Sequence, residues 1–316
     1  MINNKSKPVV EAGMMSAIAV ILSLISMYIP YLVLILPVPI ILIGVNHGLK
    51  WSVMVTIVSG VLISFVAGPL MAIKVIIVFG LIGVVFGQAI RAKMSAGRIL
   101  YWGTLAVLLA LIAAFGLTAL VLGIDPFQME LSAFEEMTAQ STAIYQDSGM
   151  FTAEQLTQIN LSNQTMLMLI KMLFPMSIAI GGVIFSYIIF MVASLVLKRR
   201  GHNVPSLPPF KHWVLPDYVL YIFIMGYILG YAGQHLELEK AMIVGENMKY
   251  FGGLFTFVQG LSVFYYLADK YNLSRFMRSI ILLLIFTNVV YEIILVFGGA
   301  FEIALDYRRL RQPRSS

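Results

Sequence analysis

Long apolar segments alternate with short polar connections along the whole chain. A transmembrane helix needs about 20 predominantly apolar residues to cross the hydrocarbon core of a bilayer. The pattern therefore predicts an all-α fold, a polytopic transmembrane helical bundle. Nine segments reach or approach the required length: residues 9–29, 31–46, 51–67, 70–90, 99–123, 166–197, 215–236, 249–268 and 279–300. Pro37 and Pro39 interrupt the second segment, so we expect protein to cover it or a polar cavity to adjoin it.

The polar connections are divided by the sign of their charge. The connection 124–165 holds six carboxylates and no Lys or Arg, whereas 91–98, 198–211 and 270–278 are basic. Short loops rich in Lys and Arg stay on the cytoplasmic side of a membrane. We therefore predict a cytoplasmic N-terminus, cytoplasmic loops at 91–98 and 198–211, and an external segment at 124–165.

The C-terminal tail does not fit this alternation. Nine spans would place Arg308, Arg309, Arg311 and Arg314 outside, against the tendency of basic residues to remain inside. Either that tendency fails here, or one of the last segments is re-entrant or amphipathic. The sequence leaves both eight and nine spans open.

Composition supports a membrane protein and removes several other classes. Hydrophobic residues make up 60% of the chain and charged residues 11%, where a soluble domain carries about 25% charged residues. The net charge of +6 lies mainly in loops and the tail, which indicates orientation in the cell membrane and contact with the lipid bilayer, not nucleic-acid binding. The chain has no cysteine, no metal-ligand spacing among its four histidines and no Walker-type phosphate loop. We predict no metal site, no cofactor and no catalytic residues, so the protein is not expected to be an enzyme.

The acidic connection 124–165 contains signals for two helices. Asp125 followed by Pro126 is typical of a helix N-cap and its first turn, and apolar residues follow at near-helical spacing. Thr152 with Gln155 matches a capping box, which predicts a second, short helix. Two amphipathic helices on the outer face would cover a cavity. A solvated acidic loop is the alternative.

The connection 201–216 is rich in proline and aromatic residues, which make a chain stiff and extended. We interpret it as a cytoplasmic linker between residues 1–200, a six-span bundle, and residues 217–316, which hold additional helices and the basic tail. It is a candidate spacer or docking surface.

Several stretches resemble the YybS family of uncharacterised multi-pass membrane proteins of Gram-positive bacteria. The resemblance rests on Pro30 with Pro37-Val-Pro39, on PPFKHWVLP at 208–216, on the stretch from Asn247 to Gln259-Gly-Leu-Ser262, and on Gly298-Gly299 with the following Asp306-Tyr-Arg-Arg309. It covers the whole chain and implies a multi-pass membrane protein.

The first six segments also resemble the S components of energy-coupling-factor (ECF) transporters, in segment order and in the proline-interrupted passage after the first span. This resemblance implies an S-component-like six-helix core plus about three additional helices. It also implies capture of a small solute near the outer face and association with coupling-factor transmembrane and ATPase subunits. The partner interface would lie on small residues of the first span, here Ala12, Gly13, Ser16 and Ala17.

Two lysines near the outer ends of their segments are candidate ligand-binding residues. Lys74 and Lys171 would bind a small anionic or zwitterionic solute if both point into a shared cavity, because an ammonium is a compact point charge suited to phosphate or carboxylate. The alternative is that both side chains extend along the helix toward the lipid headgroups.

A second group of candidates is polar and lies within apolar segments. Glu292 is far from either end of its segment, and Asn288, four residues earlier, would share its helix face. Gln259, together with Ser262, would supply hydrogen bonds from the preceding segment. The arrangement predicts either an interhelical polar clasp or a proton- or ligand-binding role.

Glycines recur on one face of two segments, at 80, 83 and 87 and at 226, 230 and 233. Small residues at this spacing let helix backbones approach closely. We interpret them as packing seams inside the protein, with dimerisation as the alternative.

The sequence thus favours a membrane component that binds or takes up a small solute and lacks its own ATPase. One alternative is a structural or regulatory membrane protein that docks partners or lipid. Another is a membrane enzyme acting on a lipid-linked substrate, with Glu292 as acid or base.

Overall fold

The computed structural model of the protein describes residues 7–123 and 125–311, so Arg314 lies outside the described residues. Helix accounts for 84% of these described residues, which contain no strand, and this confirms the all-α prediction. The first eight helices are α1 Lys7–Ser26, α2 Val38–His47, α3 Leu49–Ala67, α4 Pro69–Lys74, α5 Leu81–Arg91, α6 Ala96–Leu122, α7 Pro126–Ser148 and α8 Ala153–Arg199. The last four are α9 Tyr218–His235, α10 Glu239–Lys270, α11 Arg275–Thr287 and α12 Val289–Leu305. Short 3₁₀ turns form at Pro30–Leu34 and Phe210–His212, and a π-helical stretch, Val75–Gly80, joins α4 to α5.

Seven helical stretches of the described chain are long and apolar enough to cross a membrane, and an eighth is added if the bent pair α11–α12 is one span. The predicted segment 215–236 forms α9, which is not among these candidates. The predicted segment 279–300 is not one helix, because α11 and α12 are bent by 103° where Asn288 interrupts them. By length and composition the described helices thus give seven or eight candidate spans, and α9 would be a further one because it lies antiparallel along α10.

The described chain divides into two compact units. The first contains the residues up to Leu167 together with Ile178–Leu207, and the second contains Met168–Ser177 and the chain from Pro208 onward. The division falls after Leu207, whereas the sequence analysis placed a linker at 201–216 and assigned residues 168–177 to the first part.

The first unit has its core around α2. Residues Val38 to Gly44 are all buried there, so protein covers the proline-interrupted passage as predicted. The glycines of α5 permit this, because a Cβ on Gly83 would lie 2.6 Å from Ile40 Cβ and one on Gly87 would lie 3.3 Å from Ile41 O. This glycine face is a packing seam inside the protein.

In the second unit, α9 and α10 form an antiparallel hairpin through a similar seam. A Cβ on Gly226 would overlap the backbone of Lys249, and a Cβ on Gly233 would overlap that of Met242. As the α9 residue number rises by seven, its α10 partner falls by seven, so the two helices run in opposite directions along one tight contact.

The predicted orientation has a direct test, because the chain contains no cysteine. In intact cells, we expect an impermeant maleimide to label Ser141→Cys in α7. Ser95→Cys, at the start of α6, should react only after the membrane is permeabilised, since it lies in a basic connection. The reverse pattern would contradict the orientation.

Candidate functional site

A cavity of about 480 Å³ lies between α7 and the beginning of α8. Both helices line it with side chains at helical spacing, so each helix contributes one continuous face. From α7 these residues are Phe134, Glu135, Thr138, Ala139, Thr142, Ala143 and Gln146, and from α8 they are Asn160, Asn163, Gln164 and Leu167.

Local capping chemistry sets the ends of this helical hairpin. The Asp125 carboxylate accepts a hydrogen bond from the backbone N–H of Phe127 at 2.9 Å, and Thr152 and Gln155 form the complete reciprocal capping box. Gly149 ends α7 in the left-handed conformation that glycine adopts without strain. Both predicted helix starts are confirmed, but α8 is not short, since it continues for 47 residues to Arg199.

Seven of the eleven residues that line the cavity are polar, and none of the eleven is Lys or Arg. The hydroxyl of Thr142 donates to Thr138 O at 2.9 Å and lies 3.4 Å from Asn160 Oδ1, which links the two helices. Amide and hydroxyl groups provide both donors and acceptors, and Glu135 adds one carboxylate. The volume falls within the range of about 300–1,000 Å³ of small-molecule sites. The lining suits a small solute with hydroxyl, amide or ammonium groups.

The two lysines predicted to bind the solute do not line this cavity. Lys74 is the last residue of α4 in the first unit and is half-buried. Lys171 is exposed on the part of α8 that belongs to the second unit. The sequence analysis followed the apolar positions of 124–165 and missed the polar ones. Their spacing at 138, 142 and 146, and at 160, 163 and 164, was the available signal.

A buried ion pair in the second unit was also missed. Arg308 Nε donates to Glu302 Oε1 at 2.7 Å, and these side chains are 0% and 3% exposed. Arg308 Nη1 donates to Lys211 O at 2.6 Å and to Ser262 Oγ at 2.9 Å, and Nη2 donates to Trp213 O at 2.9 Å. The guanidinium thus joins the chain after α12 to α10 and to the PPFKHWVLP segment, residues 208–216. We call this group the Arg308 clasp.

Gln259 and Ser262 belong to the same clasp. Gln259 Oε1 accepts from Leu215 N at 2.9 Å and its Nε2 donates to Trp213 O at 3.1 Å, while Ser262 Oγ donates to Phe210 O at 2.8 Å. These side chains satisfy backbone groups of a segment that is mostly neither helix nor strand, which buried backbone requires. Three of the four stretches that carry the family resemblance therefore meet at one place.

The predicted environment of Glu292 is corrected by these contacts. Asn288 does not share a helix face with Glu292, because it is the N-cap of α12 and its Oδ1 accepts from Val290 N at 2.9 Å. Gln259 and Ser262 bind the PPFKHWVLP segment instead. Glu292 itself lies exposed in the first turn of α12, where its backbone N–H donates to Asn288 O at 3.2 Å and its carboxylate has no hydrogen bond or ion pair to any described residue. A polar clasp exists, but Glu302 supplies its carboxylate.

The side-chain amide of Asn247 is inserted into the backbone hydrogen bonds of α8. Its Oδ1 accepts from Met176 N at 2.9 Å and its Nδ2 donates to Met172 O at 2.7 Å, so it takes the place of one helical hydrogen bond. Pro175 lies between these two residues and lacks an N–H of its own. Insertion of a side chain beside a proline is a recognised cause of helix bending.

The predicted partner interface on α1 is divided between two faces. Ala12 and Ser16 are each 2% exposed and are buried within the first unit, whereas Gly13 and Ala17 are exposed. Glu11 determines which face of α1 is turned inward. Its carboxylate accepts a hydrogen bond from Asn46 Nδ2 and contacts His47 Nε2, both at 2.6 Å, and these contacts fix α1 against α2. Gly13 and Ala17 alone remain available to a partner.

Helices of spanning length, a buried ion pair and inserted polar side chains define a polytopic, all-α integral membrane protein. The chain belongs to the family described as Predicted membrane protein (DUF2232), whose match covers residues 17–300. It is 24% identical over 311 residues to the Uncharacterized protein YybS of Bacillus subtilis (strain 168), a match that covers 96% of this chain and 98% of that protein. The resemblance to the YybS family is thereby confirmed. No solved structure matches the chain, and the likeness to S components stays a prediction.

Proposed function

We propose that the protein binds a small polar solute in the cavity between α7 and α8. The observation that carries this proposal is the pair of facing polar stripes that line the cavity. The absence of Lys and Arg from the lining favours a neutral or zwitterionic solute over an anion.

An uptake role would require a second protein to supply energy, because the sequence has no Walker-type phosphate loop. In this proposal, a coupling-factor transmembrane subunit would approach the exposed face of α1 at Gly13 and Ala17. A Cβ added at Gly13 would meet no atom within 4 Å, so this face leaves room for close approach of another helix.

Replacement of one lining amide tests the solute site. We expect Asn160→Leu to reduce the solute retained by the purified full-length protein by about tenfold, since a lost hydrogen bond in a binding site costs about 1.4 kcal/mol. The measurement is mass spectrometry of small molecules released from equal amounts of folded protein. Gln158→Leu is the control, because it also replaces a side-chain amide with leucine on α8 but lies outside the cavity lining.

The double variant Lys74→Met and Lys171→Met separates the cavity from the site predicted on the two lysines. Retention by this variant should equal that of the wild type if the cavity holds the solute. If the lysine variant loses the solute and Asn160→Leu retains it fully, the solute binds at the lysines and not in the cavity. Equal retention in all variants, or no retained solute in the wild type, would contradict a solute-binding function.

A further inference from the structure

The direction of α12 relative to α10 decides where the chain goes after the bend at Asn288. The two helices pack against each other within the second unit, and the chain that follows α12 reaches the last turns of α10. Gly299 in α12 lies against Thr256 and Gly260 in the middle of α10, whereas Arg308 and Tyr307, just after α12, lie 5.9 Å from the ring of Tyr266 and from Lys270 Nζ, near the end of α10. Thus α12 runs parallel to α10 and ends at the C-terminal end of α10.

The other helix of the bent pair starts at that same end. Arg278, in the first turn of α11, donates to Asp269 Oδ1 at 2.6 Å and to Ala268 O at 3.1 Å, where α10 finishes. Phe286 lies near the end of α11, and its ring centroid is 5.8 Å from that of Phe257. Phe257 precedes Asp269 on α10 by more than ten residues. α11 therefore leads away from the end of α10 and α12 returns to it, which makes the pair a re-entrant hairpin and not a span.

The PPFKHWVLP segment lies at this end as well. Lys211 Nζ binds Asp269 Oδ2 at 2.7 Å, and Arg311 after α12 binds both the Asp217 carboxylate and Leu215 O. A re-entrant pair places the basic tail at the same end of the second unit as Lys211, a residue of the connection that the charge pattern predicts to be cytoplasmic. This removes the conflict with the positive-inside tendency that nine spans created.

Three cations at this end have no carboxylate partner among the described residues: Lys270, Arg275 and Arg309 are exposed and unpaired by any acid. The neighbouring carboxylates are already engaged, since Asp269 binds Lys211 and Arg278, Glu302 binds Arg308, Asp217 binds Arg311, and Asp306 accepts from the backbone N–H groups of Leu310 and Arg311. The described residues at this end therefore leave an exposed positive surface on which an anion could bind.

Large aromatic side chains surround these cations. Tyr271, Phe276 and Tyr307 are all more than 60% exposed. Aromatic rings beside Lys and Arg are typical of the boundary between hydrocarbon and headgroups, where the rings meet the acyl region and the cations meet phosphate. We propose that Lys270, Arg275 and Arg309 form a binding surface for the headgroups of anionic phospholipids, assembled by the re-entrant pair.

The test uses the full-length protein in nanodiscs made from equal amounts of phosphatidylglycerol and phosphatidylcholine. We expect native mass spectrometry to show bound phosphatidylglycerol in excess over phosphatidylcholine. The triple variant Lys270→Gln, Arg275→Gln and Arg309→Gln should lower this excess by at least about tenfold, since each basic residue near an anionic surface contributes a several-fold preference. The charge-conserving triple variant Lys270→Arg, Arg275→Lys and Arg309→Lys should retain it.

Two outcomes would overturn the proposal. The first is a lipid result that does not depend on the three cations: either the wild type binds both lipids equally, or the glutamine variant keeps the same excess of phosphatidylglycerol. The other concerns the re-entrant pair: cysteines replacing Ser274 and Arg309 should react with an impermeant maleimide from the same side of the membrane. Reaction from opposite sides would make α11–α12 a span and would separate Arg309 from the other two cations.

Discussion

Replacing Arg308 with methionine is expected to destabilise the protein by about 3–5 kcal/mol, the largest effect of any single substitution considered. The change leaves the Glu302 carboxylate, 3% exposed, without its counter-charge. It also removes the donors that satisfy the backbone carbonyls of Lys211 and Trp213. Thermal unfolding of the purified protein in detergent measures the loss as a lower melting temperature.

Arg309→Met is the matched control, since it makes the same change at an exposed neighbour and should leave the melting temperature near that of the wild type. The double variant Glu302→Leu and Arg308→Met should be more stable than Arg308→Met alone, because it no longer buries an unpaired charge. If Arg308→Met and Arg309→Met unfold at the same temperature, the clasp does not stabilise the fold.

The adjacent glycines of α12 give the second large effect. A Cβ on Gly299 would overlap Thr256 O and lie 2.6 Å from Gly260 N, so Gly299→Ala must push α12 away from α10. We expect a loss of about 3 kcal/mol, at the upper end of the usual cost of overpacking. Weakened contact between the two helices should also appear as faster proteolysis after α11.

Gly298→Ala provides the comparison, because a Cβ there meets no atom within 4 Å. Alanine is a better helix former than glycine by about 1 kcal/mol, so this variant should be as stable as the wild type or slightly more so. Equal melting temperatures for the two alanine variants would contradict the close contact between α10 and α12.

Signals that act within one helical turn were read correctly from the sequence. Asp125 and Thr152 start helices as predicted, because their side chains bind backbone N–H groups two or three residues away. The length of α8 was misjudged, since the change from polar to apolar residues near 165 was taken as a boundary. No glycine or proline lies between Ala153 and Phe174 to end a helix, so the polar part continues into the apolar part.

Asn288 shows why local signals do not settle every break. An asparagine inside an apolar segment is compatible with a continuous helix, and also with an N-cap that starts a new one. The packing of α12 on α10 through Gly299 and the ties of Arg278 and Arg308 to the end of α10 favour the second arrangement. These contacts involve residues that lie far from Asn288 in the chain.

The sequence by itself determined the class of protein, the positions of most membrane-length helices, the family, and the glycine faces on which helices meet, because hydropathy and side-chain size at regular spacing act locally. Only the tertiary structure decided which polar groups combine. Arg308 meets Lys211 and Ser262 across 97 and 46 residues, and Thr142 meets Asn160 across a helical turnaround. These contacts form only when whole helices pack against each other. A polar residue in an apolar helix therefore indicates that a hydrogen-bonding partner is required, but the three-dimensional packing determines which residue that partner is.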